Sequence, residues 1–195
     1  MSVVVAYVKD GTVYMGADTQ SSSGREQQNF TSPERRKIRL MKNGMLVAHC
    51  GAVFNAQRTF LRQELFSLPE DGELTKAHVV TNIAHKLFEY YDENDLLKTD
   101  DEDGTTYMDG RFLIAYKDKL FMISNRFGVI ECKHFAAIGV GEPYAAPLLL
   151  NTDDDKPLIP QLLDAMRICA ACDTTISAPY WTIDTANRKF TLHRK

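Results

Sequence analysis

The order of strand-type and helix-type segments restricts the fold of this chain more than any other feature of its sequence. Short β-type segments come first, two amphipathic segments with helical spacing follow, and the same alternation repeats before a closing β-type hairpin. Two antiparallel sheets stacked face to face, with a helix pair on each outer side, would bury every apolar face in this order. The pattern therefore predicts an α+β fold, a four-layer αββα sandwich, formed by residues 1–195 as one domain.

Turn signals separate the strand-type segments into hairpins, because Asp10-Gly11 and Asn43-Gly44 favour tight turns. The predicted strands are 3–8, 13–17, 38–41, 45–50, 112–116, 120–124, 129–132, 135–138, 181–183 and 189–192. The predicted helices are 53–67, 75–91, 142–150 and 156–172. Asp153-Asp154-Asp155 is expected to cap the last helix, since carboxylates favour helix N-termini. The polar segments 19–36 and 92–110 are expected to be loops.

Composition excludes several classes of protein. Apolar residues make up 44% of the 195 residues, which is enough for a hydrophobic core, and the formal net charge is −3. Lysine and arginine are dispersed apart from Arg35-Arg36-Lys37, so nucleic acid is not an expected partner. No apolar run approaches the length of a membrane span. The apolar stretch 1–8 is too short for a signal peptide, so we expect a cytoplasmic protein.

Four cysteines are few for this length and indicate reduced thiols. Cys169-Ala-Ala-Cys172 has the spacing of a redox or zinc motif, but it lies in a helical pattern and no second pair completes a metal site. We therefore expect buried small residues there. The acidic segment resembles a calcium loop only superficially, because Gly110 stands where the last ligand, a glutamate, is needed. No metal and no organic cofactor are expected.

Ser2 is the first candidate catalytic residue. If Met1 is removed, which the small side chain at position 2 permits, Ser2 carries a free α-amino group beside its hydroxyl. A hydroxyl is a weak nucleophile until a base takes its proton, and an α-amine with a pKa of about 7.7–8.0 is such a base near neutral pH. One residue would then supply both nucleophile and base. Asp18, at the end of the predicted second strand, would orient the rest of the site.

Five sequence features occur in order along the chain. They are the hydroxyl residue Ser2, Gly16-Ala17-Asp18 closing the second strand, Arg35-Arg36-Lys37 opening the third, Gly51 after the fourth, and the segment Ala137-Ile-Gly-Val-Gly-Glu-Pro-Tyr-Ala145. Together they resemble the proteasome β-type subunits, and most of all the bacterial HslV peptidase. The resemblance runs from Ser2 to about Leu192, so it covers nearly the whole chain.

The resemblance implies catalytic roles for four of these residues. Ser2 matches the N-terminal threonine nucleophile of the family, and Asp18, sixteen residues on, matches the carboxylate that pairs with the catalytic lysine, here Lys37. An ammonium beside the nucleophile would lower the proton affinity of the Ser2 hydroxyl and amine. Gly51 matches the glycine whose backbone N–H forms the oxyanion hole, and such a donor is typically worth about 2.7–4 kcal/mol.

The resemblance also implies where substrate binds. Thr19, Gln20, Ser21 and Ser22 would pair with an extended peptide as an added strand, which gives affinity with little demand on sequence. His49 falls where the family has a main determinant of the side-chain pocket. An ordinary strand histidine near the core is an equally good interpretation of His49, and both remain open at this point.

Three departures from the family pattern bear on activity. The nucleophile is serine instead of threonine, and its rotamer is less constrained without the β-methyl group. Val140 stands where the family has a serine that contacts the nucleophile's amine. The family's Asp-x-x-Ser motif near the end of the fourth helix is matched imperfectly by Asp173 and Ser177, which are four residues apart instead of three.

Three functions are compatible with these features. The first is an N-terminal-nucleophile hydrolase that cleaves peptide bonds, with unfolded polypeptide or peptide as substrate. The second is a catalytically inactive ring subunit of the same fold, since fold does not imply function. The third is an amidohydrolase acting on a small non-peptide amide. The resemblance further implies a homo-oligomeric ring and a possible ATP-dependent unfoldase partner.

Overall fold

The computed structural model describes residues 2–23 and 26–194 of the chain. Strands β1 to β14 are, in chain order, Val3–Lys9, Thr12–Asp18, Gln20–Ser23, Glu26–Asn29, Ile38–Leu40, Leu46–Gly51, Leu97–Thr99, Thr106–Met108, Gly110–Tyr116, Lys119–Ile123, Val129–Glu131, Phe135–Gly139, Tyr180–Asp184 and Thr191–His193. Helices α1 to α5 are Val53–Leu61, Lys76–His78, His85–Glu93, Glu142–Leu150 and Leu158–Cys172. A π-helical segment, Val79–Ala84, joins α2 to α3, and 3₁₀ turns occur at Pro33–Arg35 and Gln63–Phe66.

Two five-stranded antiparallel sheets contain most of the strands. The first sheet has the order β12-β1-β2-β13-β14, and the second has the order β11-β10-β9-β6-β5. In the first sheet, Val4 is paired with Ala17 on one side and with Ile138 on the other. In the second, Ala48 of β6 is paired with Leu113 of β9. Strands that are distant in sequence therefore become neighbours in each sheet.

The first strand is buried on both faces. Val3 and Val5 pack in the cluster beneath α4 and α5, whereas Val4 and Ala6 pack in the cluster between the two sheets. Successive side chains of a strand point to opposite faces, so a strand covered on both sides has to be apolar throughout. This explains the continuous apolar run at the start of the chain.

Three hydrophobic clusters separate the four layers. One lies between α1 to α3 and the second sheet and includes Phe60, Leu87 and Ile114. Another lies between the two sheets and includes Met15 and Leu46. The last lies between the first sheet and the pair α4 and α5. The predicted αββα sandwich is therefore confirmed.

Both polar segments that were expected to be loops contain a hairpin, so that expectation was wrong. In the segment 19–36, Gln20 pairs with Asn29 and Ser21 pairs with Gln28. In the segment 92–110, strands β7 and β8 pair through Thr99 and Thr106. Each hairpin forms a separate two-stranded sheet outside the two large sheets. A hairpin that buries little apolar surface lacks the alternation by which strands are recognised in a sequence.

The helices differ from the prediction at three places. The predicted helix 75–91 is divided by the π-helical segment and ends at Glu93. The first helix stops at Leu61 and continues only as the 3₁₀ turn, instead of running to residue 67. The last helix begins at Leu158, after Pro157, and no side chain caps it. The expected aspartate cap is wrong because Asp153 accepts a hydrogen bond from the N–H of Asp155 and pairs with Lys156, which closes a turn ahead of the helix.

The cysteines are all free thiols, as the reduced state requires. Cys169 is buried on α5, whereas Cys172 is exposed, so burial was predicted correctly for only one of the pair. Within residues 2–23 and 26–194 there is no cluster of histidine, cysteine or carboxylate side chains suited to a metal ion. Over the same residues, every helix is too short or too polar to cross a membrane.

Candidate active site

Ser2 lies buried at the entrance to β1, held against the segment that follows β12. The N–H of Gly141 approaches the carbonyl oxygen of Ser2 at 3.4 Å. Gly139 has a φ of +96°, and a Cβ at that position would lie 2.2 Å from the same carbonyl oxygen. The close approach and the positive φ both require glycine. The Gly-Val-Gly sequence therefore serves to position the backbone of Ser2. Met1, whose removal the nucleophile assignment requires, lies outside the described residues.

Asp18, at the end of β2, is the buried acceptor at the centre of the site. Its Oδ1 accepts the N–H of Val3 at 2.9 Å and the Nζ of Lys37 at 2.6 Å. Its Oδ2 accepts the N–H of Gln20 at 3.1 Å. One carboxylate thus ties the backbone next to Ser2 to the strand β3 and to the lysine. This pairing of Asp18 with Lys37 is the geometry expected from the sequence resemblance.

Lys37 is the residue directly before β5, and its side chain extends to Asp18. Its Nζ also donates to the carbonyl oxygen of Gln20 at 2.7 Å. The lysine side chain is 13% exposed, and that of Asp18 is fully buried. Burial raises the pKa of the Asp18 carboxyl, while the charge and hydrogen bond of Lys37 and the two backbone N–H groups oppose that rise. Several hydrogen bonds therefore offset the cost of burying the charge of Asp18, and Lys37 lines the same cleft as Ser2.

Cys50 lies against Ser2 and was not singled out as a site residue from the sequence. Its thiol shares a side-chain hydrogen bond with Ser2, and its Sγ lies 3.5 Å from the carbonyl oxygen of Ile138. Burial raises the pKa of Cys50 to about 12, so the group is a neutral thiol at physiological pH. The feature of the sequence that could have identified Cys50 is its position directly before Gly51, at the end of β6.

Gly51 closes β6 with a φ of +152°, a backbone conformation that favours glycine. A Cβ at this position would lie 2.1 Å from the carbonyl oxygen of Asp109, on the neighbouring strand segment. Gly51 and Ser2 together line two clefts that meet at the serine. The structure therefore brings together four of the predicted catalytic residues: Ser2, Asp18, Lys37 and Gly51.

The two clefts differ in their linings. The first is bounded by polar residues of β3, by the basic segment before β5 and by apolar side chains of α1 and its surroundings. Its lining residues include Thr19, Ser21, Phe30, Arg35, His49, Val53 and Phe60. The second lies on the other side of Ser2 between the two sheets. Its lining residues include Cys50, Tyr107, Arg111, Met122, Ile130 and Val140.

The position of His49 is compatible with both interpretations that the sequence left open. It is a buried strand histidine whose ring centroid lies 4.6 Å from that of Phe112, and it also lines the first cleft. Burial lowers the pKa of His49 to about 4, and the nearby Asp109 opposes that shift. The ring is therefore neutral at physiological pH. Among the described residues, its buried Nε2 has no hydrogen-bond partner.

The expected substrate strand, residues 19–22, presents alternate side chains to the first cleft. Thr19 and Ser21 line that cleft. Gln20 is buried, and its amide donates to the carbonyl oxygen of Thr174 at 3.0 Å. One edge of the strand is occupied by β4, through the pairs that include Ser22 with Gln27. Within the described residues the sheet has only these two strands, so the second edge is where an extended peptide would add.

Asp173 and Ser177 lie after α5 and do not bond to each other. The carboxylate of Asp173 accepts the N–H of Thr175 at 2.8 Å and its hydroxyl at 2.5 Å. These two bonds hold the pKa of Asp173 below its usual range. The hydroxyl of Ser177 donates to the side chain of Asn29 at 3.0 Å, which connects it to the β3–β4 hairpin. Asp173 and Ser177 thus bond to different residues, Thr175 and Asn29 respectively.

No family model matches the sequence, whereas solved structures of similar fold are found. The Thiobacillus denitrificans BPH, solved in complex with epoxomicin, has a TM-score of 0.70 and 20% identity over 93% of this chain and 97% of that chain. The eukaryotic HslV of Trypanosoma brucei has a TM-score of 0.66 and 18% identity over 93% of this chain and 98% of that chain. Anbu, an ancestral β-subunit from Yersinia bercovieri, has a TM-score of 0.69 and 15% identity over 99% of this chain and 87% of that chain. The chain therefore has the proteasome/HslV-like fold of the N-terminal-nucleophile hydrolases.

Proposed function

We propose that this protein is an N-terminal-nucleophile hydrolase that cleaves peptide bonds with Ser2 as the nucleophile after removal of Met1. The observation that carries the proposal is the buried Asp18–Lys37 pair next to Ser2, with Nζ 2.6 Å from Oδ1. A buried lysine is costly to a fold unless its charge is used or compensated. Here the charge stands beside a hydroxyl residue at the junction of two clefts.

The proposed reaction proceeds through an acyl-enzyme. The hydroxyl of Ser2 attacks the scissile carbonyl carbon and gives its proton to its own α-amine, while the charge of Lys37 favours the deprotonated oxygen. The backbone N–H of Gly51 donates to the oxyanion. The α-ammonium then returns the proton to the leaving amine as the C–N bond breaks. A water molecule attacks the resulting ester and releases the acid, which restores the serine.

The two clefts support a peptide bound across Ser2. The acyl part would lie in the first cleft, as an added strand along the edge formed by Thr19 and Ser21. The leaving part would lie in the second cleft, which begins at Ser2 and Gly51 and continues between the two sheets. Backbone pairing in the first cleft would give affinity for unfolded polypeptide with little demand on its sequence.

The first experiment is an intact-mass measurement of protein made with its native start, followed by an assay on unfolded protein and on fluorogenic peptides. We expect loss of the mass of Met1 and hydrolysis of the peptides. Ser2→Ala keeps a small residue that permits Met1 removal, so it isolates the hydroxyl, and we expect at least about a thousandfold loss of rate. Ser67→Ala, away from the site, is the matched control. Full retention of Met1, or undiminished hydrolysis by Ser2→Ala, would contradict the proposal.

Epoxomicin is a second probe of the same site, because it occupies a structurally similar protein. We expect it to inhibit this protein and to bind the native chain but not Ser2→Ala, measured by intact mass and by residual activity. Binding of equal strength to both proteins would argue that the compound does not depend on the hydroxyl.

An inactive ring subunit remains the second candidate, and one observation favours it. Val140 lines the second cleft next to Ser2, where a serine would offer a hydrogen-bond partner to the nucleophile's amine. Val140→Ser is the discriminating variant. If the native protein hydrolyses no peptide and no small amide although Met1 is removed, and Val140→Ser restores hydrolysis, the chain is an inactive subunit that has lost its amine contact. Turnover of small amides alone would indicate the non-peptide amidohydrolase.

We also propose that the protein assembles into a homo-oligomeric ring in the cytoplasm and acts with an ATP-dependent unfoldase. Enclosure of the site in a chamber would exclude folded proteins, so an unfoldase would be needed to supply extended chain. Native mass spectrometry is expected to give a single closed oligomer. A monomer at all concentrations, or hydrolysis of folded proteins without ATP, would contradict this assembly.

A further inference from the structure

The first cleft carries an excess of positive charge beside Ser2. Its lining residues include Arg35, Arg36 and Arg39. The guanidinium of Arg36 itself is stacked between Trp181 and Phe190, which lie outside this lining. Among the described residues, Glu34 is the one carboxylate in the lining. Lys37 also lines the cleft, but its charge is paired directly with Asp18 and adds little to the excess. A cleft of this composition attracts negative charge.

Aromatic rings position two of the three guanidinium groups. Arg35 lies 4.0 Å above the ring centroid of Phe30. Arg36 lies between two rings, 3.9 Å from the centroid of Trp181 and 4.1 Å from that of Phe190. Stacking of this kind orients a guanidinium and leaves its edge N–H groups available to an acceptor. The positive charge is therefore held in place before any ligand arrives.

Arg39 completes the basic lining and stabilises the loop that bears it. Its guanidinium donates to the backbone carbonyl oxygens of Pro33 and Glu34. None of the three arginines forms an ion pair with another side chain in the described part of the chain. The side chain of Glu34 bonds to Ser32, and the charges of Arg39 and Arg35 further hold the pKa of its carboxyl below the usual range. One exposed carboxylate thus faces three cations, and a net positive charge remains.

His49 also lines the first cleft, but its Nε2 lies against Gly110, a residue of the second cleft, where a Cβ would come within 2.4 Å of it. The buried Nε2 of His49 has no hydrogen-bond partner among the described residues, although the ring is almost fully enclosed. A buried polar atom without a partner is costly to the fold. The apolar side chains of Phe30, Val53 and Phe60 in the same lining suit the methylene groups of a ligand side chain.

We propose that the first cleft selects substrates with an acidic side chain, glutamate above all, on the acyl side of the cut bond. The carboxylate would be met by Arg35 and its basic neighbours, and the methylene stem would pack on the apolar wall. A lysine or arginine side chain in the same position would be repelled. This inference rests on the proposed function, since it names the substrate class of the same site.

The test uses four peptides that differ only in the residue before the scissile bond, which is Glu, Gln, Leu or Lys. The native protein is expected to cleave the Glu peptide about fivefold more efficiently than the Gln peptide, as judged by kcat/KM, which corresponds to about one exposed charge pair. The Lys peptide is expected to be the poorest. Raising the salt from roughly 0.05 M to about 0.5 M is expected to remove most of the preference for Glu over Gln, because the charges are partly exposed.

Variants of Arg35 test whether the preference for Glu over Gln arises in the first cleft. Arg35→Gln, at an exposed position that tolerates substitution, is expected to reduce the preference for Glu over Gln to about twofold or less. Arg35→Glu is expected to reverse the order of the Glu and Lys peptides. Arg126→Gln is the matched control, because Arg126 is also exposed but pairs with Asp100 and Asp103 away from the cleft. An equal preference in the native protein and in Arg35→Glu would overturn the inference.

A binding measurement distinguishes failure of the acidic preference from failure of the proposed hydrolase function. Ser2→Ala protein is titrated with fluorescent Glu, Gln and Lys peptides, and their affinities are compared by anisotropy. Selective binding of the Glu peptide without hydrolysis by the native protein would contradict the proposed function and support the acidic preference. Hydrolysis without selectivity in either assay would support the function and overturn the preference. Affinities that do not differ among the three peptides count against the preference in every case.

Discussion

At the scale of single residues, Asp18 organises the site by bonding to three different parts of the chain. Its two oxygens accept from the N–H of Val3, the N–H of Gln20 and the Nζ of Lys37. A buried carboxylate needs this many donors, because each unmet acceptor position would carry the cost of lost hydration. One of the bonds that satisfy Asp18 holds Lys37, which lines the same cleft as Ser2. The stability of the site and its proposed chemistry therefore depend on one side chain.

We predict that Lys37→Met destabilises the protein by about 3–5 kcal/mol, since it leaves Asp18 buried without its cation. Peptide hydrolysis should be lost as well. The double variant Asp18→Asn with Lys37→Met should recover part of the stability but none of the activity, because no buried charge remains. Urea unfolding measures the free energies. Lys98→Met is the matched control, since the Lys98–Asp109 pair is exposed and should contribute less than about 1 kcal/mol. Equal losses for both lysines would refute the prediction.

His49 should make stability depend on pH. Burial lowers the pKa of His49 to about 4 in the folded state, whereas an unfolded histidine titrates near 6.5. The unfolded state alone binds a proton between these values, so this contribution is fully present above the unfolded pKa and is lost as the pH falls toward about 4. Between about pH 7.5 and about pH 5 the expected loss is about 2 kcal/mol.

The check is a comparison of urea unfolding for the native protein and His49→Leu at both pH values. The variant removes the titrating group, so its stability should fall by about 2 kcal/mol less than that of the native protein over this interval. His85→Leu is the control, because His85 is exposed and forms only an i,i+4 contact with Glu89. If the native protein and His49→Leu lose stability in parallel, the buried histidine does not carry the pH dependence.

Cys50 should affect the rate through the orientation of Ser2. The thiol bonds to the Ser2 side chain, so Cys50→Ala removes a contact that holds the hydroxyl in place. We expect kcat to fall roughly fivefold with KM nearly unchanged, which corresponds to one hydrogen bond of about 1 kcal/mol. Cys50→Ser keeps a polar partner and should recover most of kcat. Cys172→Ala, at an exposed position, should have no effect. A rise in KM without a change in kcat would argue against an orienting role.

At the scale of elements, the segment between β4 and β5 connects the two large sheets. Arg36 comes directly before Lys37, and its guanidinium lies between Trp181 of β13 and Phe190, which precedes β14. Trp181 belongs to the first sheet and Phe190 directly precedes its edge strand β14, whereas β5 is an edge strand of the second sheet. The stacked arginine thus fixes the position at which the chain enters β5, and with it the direction of Lys37.

Arg36→Ala should lower both stability and activity. Loss of two stacked contacts is expected to cost about 1–2 kcal/mol in urea unfolding, and displacement of Lys37 should lower kcat. Arg36→Lys should recover the charge but little of the stacking, because an ammonium lacks the planar face. Arg58→Ala is the control, since Arg58 lies 5.4 Å from an exposed ring, that of Phe54, and far from Lys37 in the chain. Unchanged kcat in Arg36→Ala would contradict the proposed coupling.

At the scale of the whole molecule, the two sheets share a core and each also packs on its own helices. The cluster between the sheets includes Met15 and Leu113, while separate clusters lie beneath the two helix layers. Each layer buries an apolar face of the next, so no layer has a core of its own without its neighbour. This arrangement predicts that residues 1–195 unfold as one unit.

Urea unfolding should therefore show a single transition by every probe. The fluorescence of Trp181, the single tryptophan, reports on the first sheet, and far-ultraviolet circular dichroism reports on all helices and strands. We expect the two curves to coincide within error and to give one slope. The comparison is made on Ser2→Ala as well, which excludes self-cleavage as a cause of a second phase. Two separated transitions would show that the sheets unfold independently and would refute the single domain.

Much of the fold follows from local patterns in the sequence. Apolar segments on either side of the Asp10-Gly11 turn correctly indicated β1 and β2, and α4 has the predicted bounds. The β3–β4 and β7–β8 hairpins were missed because they lie outside the layers and lack apolar alternation. The cap by Asp153 was wrong because its carboxylate closes a turn with Asp155 instead. Local signals thus predict elements that bury a face and fail for those that do not.

The sequence alone determined the order of strands and helices, and with it the αββα layers, because the periods of apolar residues are local properties of the chain. It also indicated Ser2, Asp18, Lys37 and Gly51 through their family resemblance. Only the tertiary structure decided that the thiol of Cys50 meets Ser2 and that Arg35 and His49 line one cleft. Those contacts join residues far apart in the chain, and they arise from strand register and from the stacking of two sheets, which no local pattern records.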